Sequence, residues 1–209
     1  MSDINYYISD IHFGHENCLK YDARENSRVF SSIEEHDNLI IENINKVVTP
    51  QDNLYILGDV SWYKPQETAE LIEQINCKNR FLLIGNHDRW VKDGRCKRLF
   101  QGIYDIKRIE DEGNQIILCH YPIMMFPHQH RGAIHLYGHV HNSLEEQDYQ
   151  EFLKELNNRI KVRDGDRYKP IRAFNVGCML WDYTPRTLKE ILASNEYFFQ
   201  NISKKVIDK

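Results

Sequence analysis

Short apolar runs that end in polar, ligand-type side chains recur along this chain. The clearest is the run 81–84, which leads through Gly85 to Asn86, His87 and Asp88. A continuous apolar run bounded by glycine is typical of a strand that is buried on both faces. Runs of this kind predict strands at 5–8, 53–57, 80–84, 104–109, 115–119, 134–137 and 171–176.

Helical periodicity lies between these runs. Residues 32–48 carry an apolar stripe at helical spacing, with Ser32 and Glu35 spaced as a capping box and Pro50 just beyond the end. Further helices are predicted at 65–75, 145–162 and 187–192. Two passages from strand through helix to strand in the first half predict parallel strands that line one crevice. An antiparallel hairpin is predicted around the loop 110–114.

Metal-ligand side chains follow the predicted strands. Asp10 and His12 are two residues apart, as are His139 and His141, so on an extended backbone each pair would point to one side. Seven such residues lie at the ends of five predicted strands: Asp10, His12, Asp59, Asn86, His120, His139 and His141. Nitrogen and oxygen donors without a thiolate suit Mn²⁺, Fe or Zn²⁺. Seven donors are too many for one tetrahedral ion and suit two ions with a shared ligand.

Length, charge and cysteine usage narrow the class of protein. A chain of 209 residues is expected to form a single domain, with 193–209 as a peripheral tail. The net charge of −4 gives no whole-chain basic field for nucleic acid, although a local basic groove stays compatible with it. No leader or membrane-length apolar run is evident, so a cytoplasmic protein without membrane contact is expected. Five cysteines without a Cys-x-x-Cys pair predict free, buried thiols.

Taken together, five motif blocks resemble the calcineurin-like metallophosphoesterases. The blocks occur in the family's order: Asp10-x-His12, Gly58-Asp59, Gly85-Asn86-His87-Asp88, His120 and Gly138-His139-x-His141. A small stand-alone bacterial or phage-type branch is similar in five further blocks: Phe13-Gly14-His15-x-Asn17, Glu34-Glu35-His36-Asp37, Asn43-x-Asn45, His120-Tyr121-Pro122 and Asn175-Val176-Gly177. The resemblance implies an α+β or α/β fold, a four-layer α-β-β-α sandwich of two mixed β-sheets flanked by helices.

The resemblance also implies a role for each residue of the motifs. The metal ligands would form two sets with one bridge: Asp10, His12 and His141 for the first ion, Asn86, His120 and His139 for the second, and Asp59 between them. His87 would donate a proton to the leaving oxygen, and Asp88 would orient its imidazole. The implied cofactor is two divalent ions, with Mn²⁺ expected first and Fe, Zn²⁺ or Ni²⁺ as alternatives. A metal-bridging hydroxide would attack phosphorus.

Contacts to the substrate are predicted at the rim of this site. His15 lies close to His12 in sequence and is expected either to contact phosphate or to support a ligand. Arg24 and Arg28 are candidates for a phosphate clamp, against the alternative of solvent-exposed arginines. The expected partner is a small phosphate ester, nucleotide-like esters included, and diesters are favoured over monoesters. Nucleic acid is not excluded, and the oligomeric state is left open.

Three alternatives compete with the hydrolase interpretation. The same fold can serve as a catalytically silent protein-interaction scaffold, but all seven ligand positions and His87 are intact here. A nuclease of the same superfamily is disfavoured by the acidic balance and by the lack of an obvious aromatic and basic platform. An HD-type phosphohydrolase, suggested by His87-Asp88, would be all-helical, whereas this pair follows a predicted strand.

Overall fold

The computed structural model describes residues 3–20, 30–167 and 169–194. Within these residues the strands are, in chain order, β1 (Asn5–Ile8), β2 (Asn53–Ile56), β3 (Asn79–Leu83), β4 (Gly102–Tyr104), β5 (Ile106–Asp111), β6 (Asn114–Cys119), β7 (Ile134–Tyr137), β8 (Arg172–Asn175) and β9 (Arg186–Thr187). The α-helices are α1 (Ile33–Val47), α2 (Pro65–Glu73), α3 (Gly94–Lys97), α4 (Leu144–Asp164) and α5 (Leu188–Ala193). Short 3₁₀ turns lie at Arg89–Lys92, Gln129–Arg131, Gly165–Arg167 and Cys178–Leu180.

The strands form two mixed sheets. The first has the order β4-β3-β2-β1-β9, in which β1 to β4 are parallel and β9 is antiparallel to β1. The second has the order β5-β6-β7-β8, in which β5 is antiparallel to β6 and the other pairs are parallel. The predicted parallel strands of the first half are therefore confirmed. Two sheets also exclude the all-helical HD-type alternative.

Alternation along the strands separates two faces of each sheet. On β1 and β2, Tyr7 and Tyr55 face the second sheet, whereas the next residues, Ile8 and Ile56, face helices. Successive side chains of a strand point to opposite faces, so each strand contributes to two apolar layers. The second sheet packs against this inner face with a row of apolar residues: Ile116, Leu118, Ile134, Leu136 and Phe174.

Helices cover the two outer faces. Ile40 and Ile44 of α1 and Ile72 of α2 pack on the outer face of the first sheet. Leu153 and Ile160 of α4 belong to the apolar cluster on the outer face of the second sheet. Each fully buried side chain of this size contributes about 1.5–3 kcal/mol to stability. The order helix, sheet, sheet, helix confirms the predicted four-layer sandwich.

Helix α1 begins as the sequence predicts, with one difference at its cap. The Ser32 side chain accepts the Glu35 N–H at 3.2 Å, as in a capping box. The Glu35 carboxylate, however, accepts the N–H of Ser31 at 2.8 Å instead of that of Ser32. One further residue of chain is thus fixed before the helix. Helix α4, the longest described, is too polar to cross a membrane, and no other described helix is long and apolar enough.

The hairpin prediction was wrong at its first strand. Residues 104–109 do not form one strand, because Tyr104 ends β4 in the first sheet and Ile106 begins β5 in the second. Asp105 is the point at which the chain passes between sheets. The hairpin itself is confirmed, but it is tighter than expected, since Asp111 pairs with Asn114 across a two-residue turn.

The five cysteines all lie within the described residues, are buried and form no disulfide, which confirms the prediction from their spacing. Helix α5 ends at Ala193, and the part of the predicted tail beyond Ser194 lies outside the described residues. Arg24 and Arg28 also lie outside them, so the phosphate clamp stays a prediction. The single-domain organisation of 1–209 is likewise still a prediction.

Candidate metal centre

The seven predicted ligands follow β1, β2 and β3 of the first sheet and β6 and β7 of the second: Asp10, His12, Asp59, Asn86, His120, His139 and His141. The two sheets are joined at this end, where Ser9 donates its N–H to the Val176 carbonyl at 2.9 Å. Loops from both sheets therefore reach the same place. Ligand crevices of α/β sheets lie at the carboxyl ends of strands for this topological reason.

The first donor group consists of Asp10, His12 and His141. One ligand atom from each lies within 4.8 Å of the others. The Nε2 atoms of His12 and His141 are 2.9 Å apart, and Nε2 of His141 is 3.7 Å from Oδ1 of Asp10. Asp10 and His12 are buried, whereas His141 is half-buried. Two imidazoles and one carboxylate thus face a common point, as an N/O-binding cation requires.

The second donor group consists of Asp59, His120 and His139, again with ligand atoms within 4.8 Å of one another. Oδ1 of Asn86 lies 3.1 Å from Nε2 of His120, so the predicted amide ligand belongs to this group as well. Six of the seven residues that the resemblance assigns to metal thus lie in the two clusters, and their roles as ligands stay predictions. Whether Asp59 bridges them stays a prediction.

The His120 ring shows why a cation fits the second group. Its Nδ1 lies 2.7 Å from the Leu57 carbonyl, which can only accept, so Nδ1 carries the proton. In the neutral ring, Nε2 then presents a lone pair to Oδ1 of Asn86 at 3.1 Å and Oδ2 of Asp59 at 3.6 Å. Three lone-pair atoms face one another without a proton between them. Metal-binding histidines typically donate their other ring nitrogen in this way, so the residues fit a divalent ion.

The two donor groups are connected through the backbone of His139. Its N–H lies 3.0 Å from Oδ1 and 3.1 Å from Oδ2 of Asp10, so a ligand of the first group accepts from a ligand of the second. Asn175 adds support, because its Nδ2 donates to the His141 carbonyl at 2.8 Å and to the Glu146 carboxylate at 3.2 Å. Glu146, a buried acid on α4, was not predicted from sequence, since helix charges are usually solvated.

The backbone at the ligands is left-handed, which corrects the expectation of an extended backbone. Positive φ angles occur at five of the seven ligands: Asp10 (55°), His12 (56°), Asp59 (53°), His139 (72°) and His141 (48°). Each such residue costs on the order of 1–3 kcal/mol and persists where surrounding contacts enforce it. His139 and His141 accordingly do not point into one group but into two neighbouring ones. The two-residue spacing of these ligands therefore does not reflect the alternation of an extended strand.

Glycines beside the ligands provide room for them. A Cβ atom on Gly85 would overlap Oδ1 of Asp59, and one on Gly138 would overlap Oγ of Ser9 and Oδ2 of Asp10. Any side chain at these positions would therefore displace a carboxylate of a donor group. This explains why glycine precedes a ligand in these two motifs, since a carboxylate of the site occupies the space that a Cβ atom would take.

Burial sets the protonation of the metal-free site. Burial is the main cause that raises the pKa of Asp10 to about 7, with Asp59 adding to it and His120 opposing it. Burial, followed by the neighbouring His141, lowers the pKa of His12 well below its ordinary value. The pKa of His139 is also lowered, chiefly by burial and then by His120. The rings of His12 and His139 therefore offer lone pairs at neutral pH.

The described donors to Asp88 are backbone N–H groups and the Trp90 indole. Its buried carboxylate accepts from the N–H groups of Asp59 (3.0 Å), Val60 (2.8 Å) and Gly85 (2.8 Å). It also accepts from the indole of Trp90 at 3.1 Å. Among the described residues, the His87 ring is not one of its donors. Asp88 is thus a buried acceptor that holds the ligand loops, and its catalytic role stays a prediction.

The structure places His87 and His15 at the rim of the centre, on either side of a residue that sequence reasoning missed. His87 is exposed and donates its backbone N–H to Oδ1 of Asp59 at 2.9 Å. His15 is half-buried and stacks on Trp62. The signal that could have found Trp62 is a large aromatic residue three positions after the ligand Asp59. The roles of His87 in proton transfer and of His15 in phosphate contact stay predictions.

Known proteins share this sequence pattern and fold. The chain is 34% identical to the uncharacterized protein MJ1445 of Methanocaldococcus jannaschii over 170 residues, which cover 79% of this chain and 85% of that protein. The crystal structure of AQ665, a protein of unknown function from Aquifex aeolicus, matches with a TM-score of 0.65 and 26% identity. That match covers 91% of this chain and 98% of the other. The family profile described as calcineurin-like phosphoesterase matches residues 6–172, and the chain belongs to this family.

Proposed function

We propose that this protein is a phosphoester hydrolase that depends on two divalent metal ions and prefers diesters to monoesters. The observation that carries the proposal is the pair of donor groups, connected where His139 donates to Asp10. When bound, the two ions would activate a water molecule for attack on phosphorus and neutralise the phosphoryl oxygens. Mn²⁺ is proposed first, because the donors are imidazole nitrogens and carboxylate or amide oxygens.

The charge of the loaded centre supports a phosphate substrate. Two divalent ions bring +4, and the carboxylates of Asp10 and Asp59 reduce this to +2. Asn86 is neutral, so its amide contributes an oxygen donor without removing positive charge. The centre therefore attracts an anion, and a third carboxylate in place of the amide would weaken that attraction.

The surroundings of the second group favour a diester. His120 and His139 are flanked by Tyr121, which is 43% exposed and lies 4.6 Å from the His139 ring centroid. Tyr121, Asn86 and the Leu57 carbonyl are all uncharged. A diester carries a single negative charge and needs less compensation than a doubly charged monoester. A small ester with an apolar or nucleotide-like leaving group would also meet an aromatic surface at Tyr121.

His87 is the proposed proton donor to the leaving oxygen. It follows the ligand Asn86 directly, and its ring is solvent-exposed at the rim rather than turned into a donor group. Its backbone donates to Asp59, so the loop that carries the ring is held beside the second group. A positioned general acid of this kind contributes about 10²–10⁴-fold to rate.

A substrate panel in the presence of Mn²⁺ tests the proposal. It contains an aryl phosphodiester, an aryl monophosphate, cyclic nucleotides and single-stranded DNA. We expect hydrolysis that is lost on chelation of the metal and is fastest for the diester. A metal-loaded protein that hydrolyses none of them would support the scaffold alternative. Fastest cleavage of DNA would support the nuclease alternative.

Substitution of His87 separates its role from that of the ligands. His87→Ala should retain both metal ions but lose ~10²–10⁴-fold in turnover of esters with poor leaving groups. His130→Ala is the matched control, because His130 is exposed, lies on the Gln129–Arg131 turn and belongs to neither donor group. It should behave as the wild type. Loss of metal from His87→Ala, or unchanged turnover, would contradict the assignment.

A further inference from the structure

The indole of Trp62 stacks with two histidines at the rim of the metal centre. Its ring centroid lies 4.0 Å from that of His15 with an interplanar angle of 8°, and 4.1 Å from that of His87 with an angle of 31°. A third imidazole, that of His12 in the first donor group, lies 4.8 Å away at 56°. Trp62 thus contacts a metal ligand, the proposed proton donor and the predicted phosphate contact at once.

The indole lies between the two stacked imidazoles. Two rings stacked at about 4 Å on the same face of an indole would also touch each other. Among the described residues, His15 and His87 make no such ring contact, so they occupy opposite faces. Trp62 is 37% exposed as a whole residue, and one imidazole stacks on each of its faces. The indole is therefore a spacer between the two histidines.

Three neighbouring strands supply the three stacked rings. His15 lies on the loop after β1, Trp62 on the loop after β2 and His87 on the loop after β3. The middle loop is fixed to the first, because Trp62 donates its N–H to the Phe13 carbonyl at 2.8 Å and Phe13 forms a bridge with Ser61. The stack is consequently anchored to the sheet and not to a free loop tip.

The group that contacts the His87 ring is the indole of Trp62 and not the carboxylate of Asp88. The carboxylate next to His87 is occupied by backbone N–H groups and by Trp90, so it does not hold the imidazole. The described bond of His87 to Asp59 comes from its backbone and fixes only the loop. For the exposed ring itself, the described contact is the indole of Trp62.

We propose that Trp62 is a positioning residue that aligns His87 and His15 over the metal centre. This inference rests on the proposed hydrolase function. Aromatic pairs contribute about 0.5–1.5 kcal/mol beyond the area they bury, which is enough to favour one orientation of an exposed ring. Because the indole separates the two imidazoles, His87 would meet the leaving oxygen while His15 meets a phosphoryl oxygen of the same ester. Trp62 itself would not touch the reacting atoms.

Kinetics of Trp62→Leu and Trp62→Phe test the positioning role. Leucine keeps apolar bulk but cannot stack, whereas phenylalanine keeps a smaller aromatic face. With Mn²⁺ bound, Trp62→Leu should lower kcat by up to about 10²-fold for a diester with a poor leaving group. The loss should be smaller for a good leaving group, which needs less protonation. Trp62→Phe should lie between Trp62→Leu and the wild type, and both variants should retain two metal ions.

A double variant shows whether Trp62 acts through His87. If it does, combining Trp62→Leu with His87→Ala should reduce kcat no further than His87→Ala alone. Additive losses would show that Trp62 acts by another route and would overturn the inference. Equal losses for good and poor leaving groups would do the same. So would loss of metal from both Trp62 variants, since the residue would then merely support the His12 ligand.

A spectroscopic readout checks the stack independently of turnover. In proton NMR spectra of the metal-free and the Zn²⁺-loaded protein, the His87 and His15 ring protons should be shifted upfield by the indole. The His87 signal is identified by its loss in His87→Ala, and the shifts should disappear in Trp62→Leu. Unshifted ring protons in the wild type would overturn the inference while leaving the hydrolase proposal intact. Shifted ring protons in a metal-loaded wild type that hydrolyses no ester would refute both the proposed function and the positioning role.

Discussion

The carboxylate of Asp88 accepts the backbone N–H of Asp59 at 3.0 Å, across 29 residues of sequence. It accepts the N–H of Val60 as well. The carboxylate therefore holds the two peptide groups on either side of Asp59, a member of the second donor group. Asp59 has a left-handed backbone with a φ of 53°. A conformation of this kind persists where its surroundings enforce it, and here the enforcing group is a buried acid from the loop after β3.

Removal of this acceptor should destabilise the protein and its second donor group together. Asp88→Ala leaves the N–H groups of Asp59, Val60 and Gly85 without their described acceptor, and each buried unsatisfied donor costs about 1–3 kcal/mol. We expect the free energy of unfolding of the metal-free protein to fall by at least about 3 kcal/mol in urea titrations. Asp93→Ala is the matched control, because Asp93 caps only α3 and should cost about 1 kcal/mol. Equal midpoints for the two variants would contradict this role.

Protonation of Asp10 should couple stability to pH in the metal-free protein. Burial raises its pKa from 3.8 to about 7, so the folded chain binds this proton more tightly than the unfolded chain does. The free energy of unfolding should therefore decrease as the pH rises from about 4 to about 7. Asp10→Asn should remove this contribution, which appears as the difference between the two pH profiles. A profile of the variant parallel to that of the wild type would refute it.

The same proton should compete with metal. A carboxylate binds a divalent ion in its deprotonated form, so metal affinity should fall as the pH is lowered through about 7. Isothermal titration of the metal-free protein at several pH values measures this dependence, together with the protons released. The raised pKa of Asp10 lies between pH 5 and pH 8. A metal affinity that is constant over this range would contradict the buried position of Asp10 in the first group.

Gly85 should be required for the second donor group. A Cβ at this position would overlap Oδ1 of Asp59, so Gly85→Ala should displace that carboxylate and weaken the binding of one metal ion. Gly94→Ala is the matched control, since its nearest neighbour would be Nη1 of Arg98 at 3.8 Å and it lies in the first turn of α3. The control should bind metal as the wild type does. Metal analysis of both variants is the measurement, and full occupancy in Gly85→Ala would be the contrary result.

Asn86→Asp should strengthen metal binding and weaken catalysis. The added carboxylate lowers the net charge of the loaded centre from +2 to +1, which favours the cations and disfavours an anionic ester. We expect a raised KM for the diester together with tighter retention of metal during dialysis against a chelator. A variant that loses metal would show that the amide of Asn86 is not a ligand of the second group.

The strands and the site could be predicted from sequence for one physical reason. Parallel strands bury both faces and end together, so apolar runs followed by a glycine and a ligand-type residue identify the edge at which ligands meet. Gly85 and Gly138 carry this signal because the carboxylates of Asp59 and Asp10 occupy the space of their missing Cβ atoms. The chain belongs to the family that the motifs resemble, and six of the seven motif ligands lie in the two donor groups.

The remaining features depend on contacts that are distant in sequence. The two-residue spacing of Asp10 and His12 suggested alternation, but tertiary contacts impose a left-handed backbone on both residues. The resemblance implied that Asp88 serves the His87 ring, whereas its described partners Asp59 and Val60 lie 29 and 28 residues away. Local sequence does not record which of several neighbours a buried carboxylate selects.

Anomalous diffraction from crystals grown with Mn²⁺ would locate the metal ions. We expect two peaks, one among Asp10, His12 and His141 and one among Asp59, Asn86, His120 and His139. Density from Asp59 to both peaks would in addition establish the bridge. No peak in either donor group, or a single peak bound elsewhere on the chain, would contradict a two-metal phosphoester hydrolase.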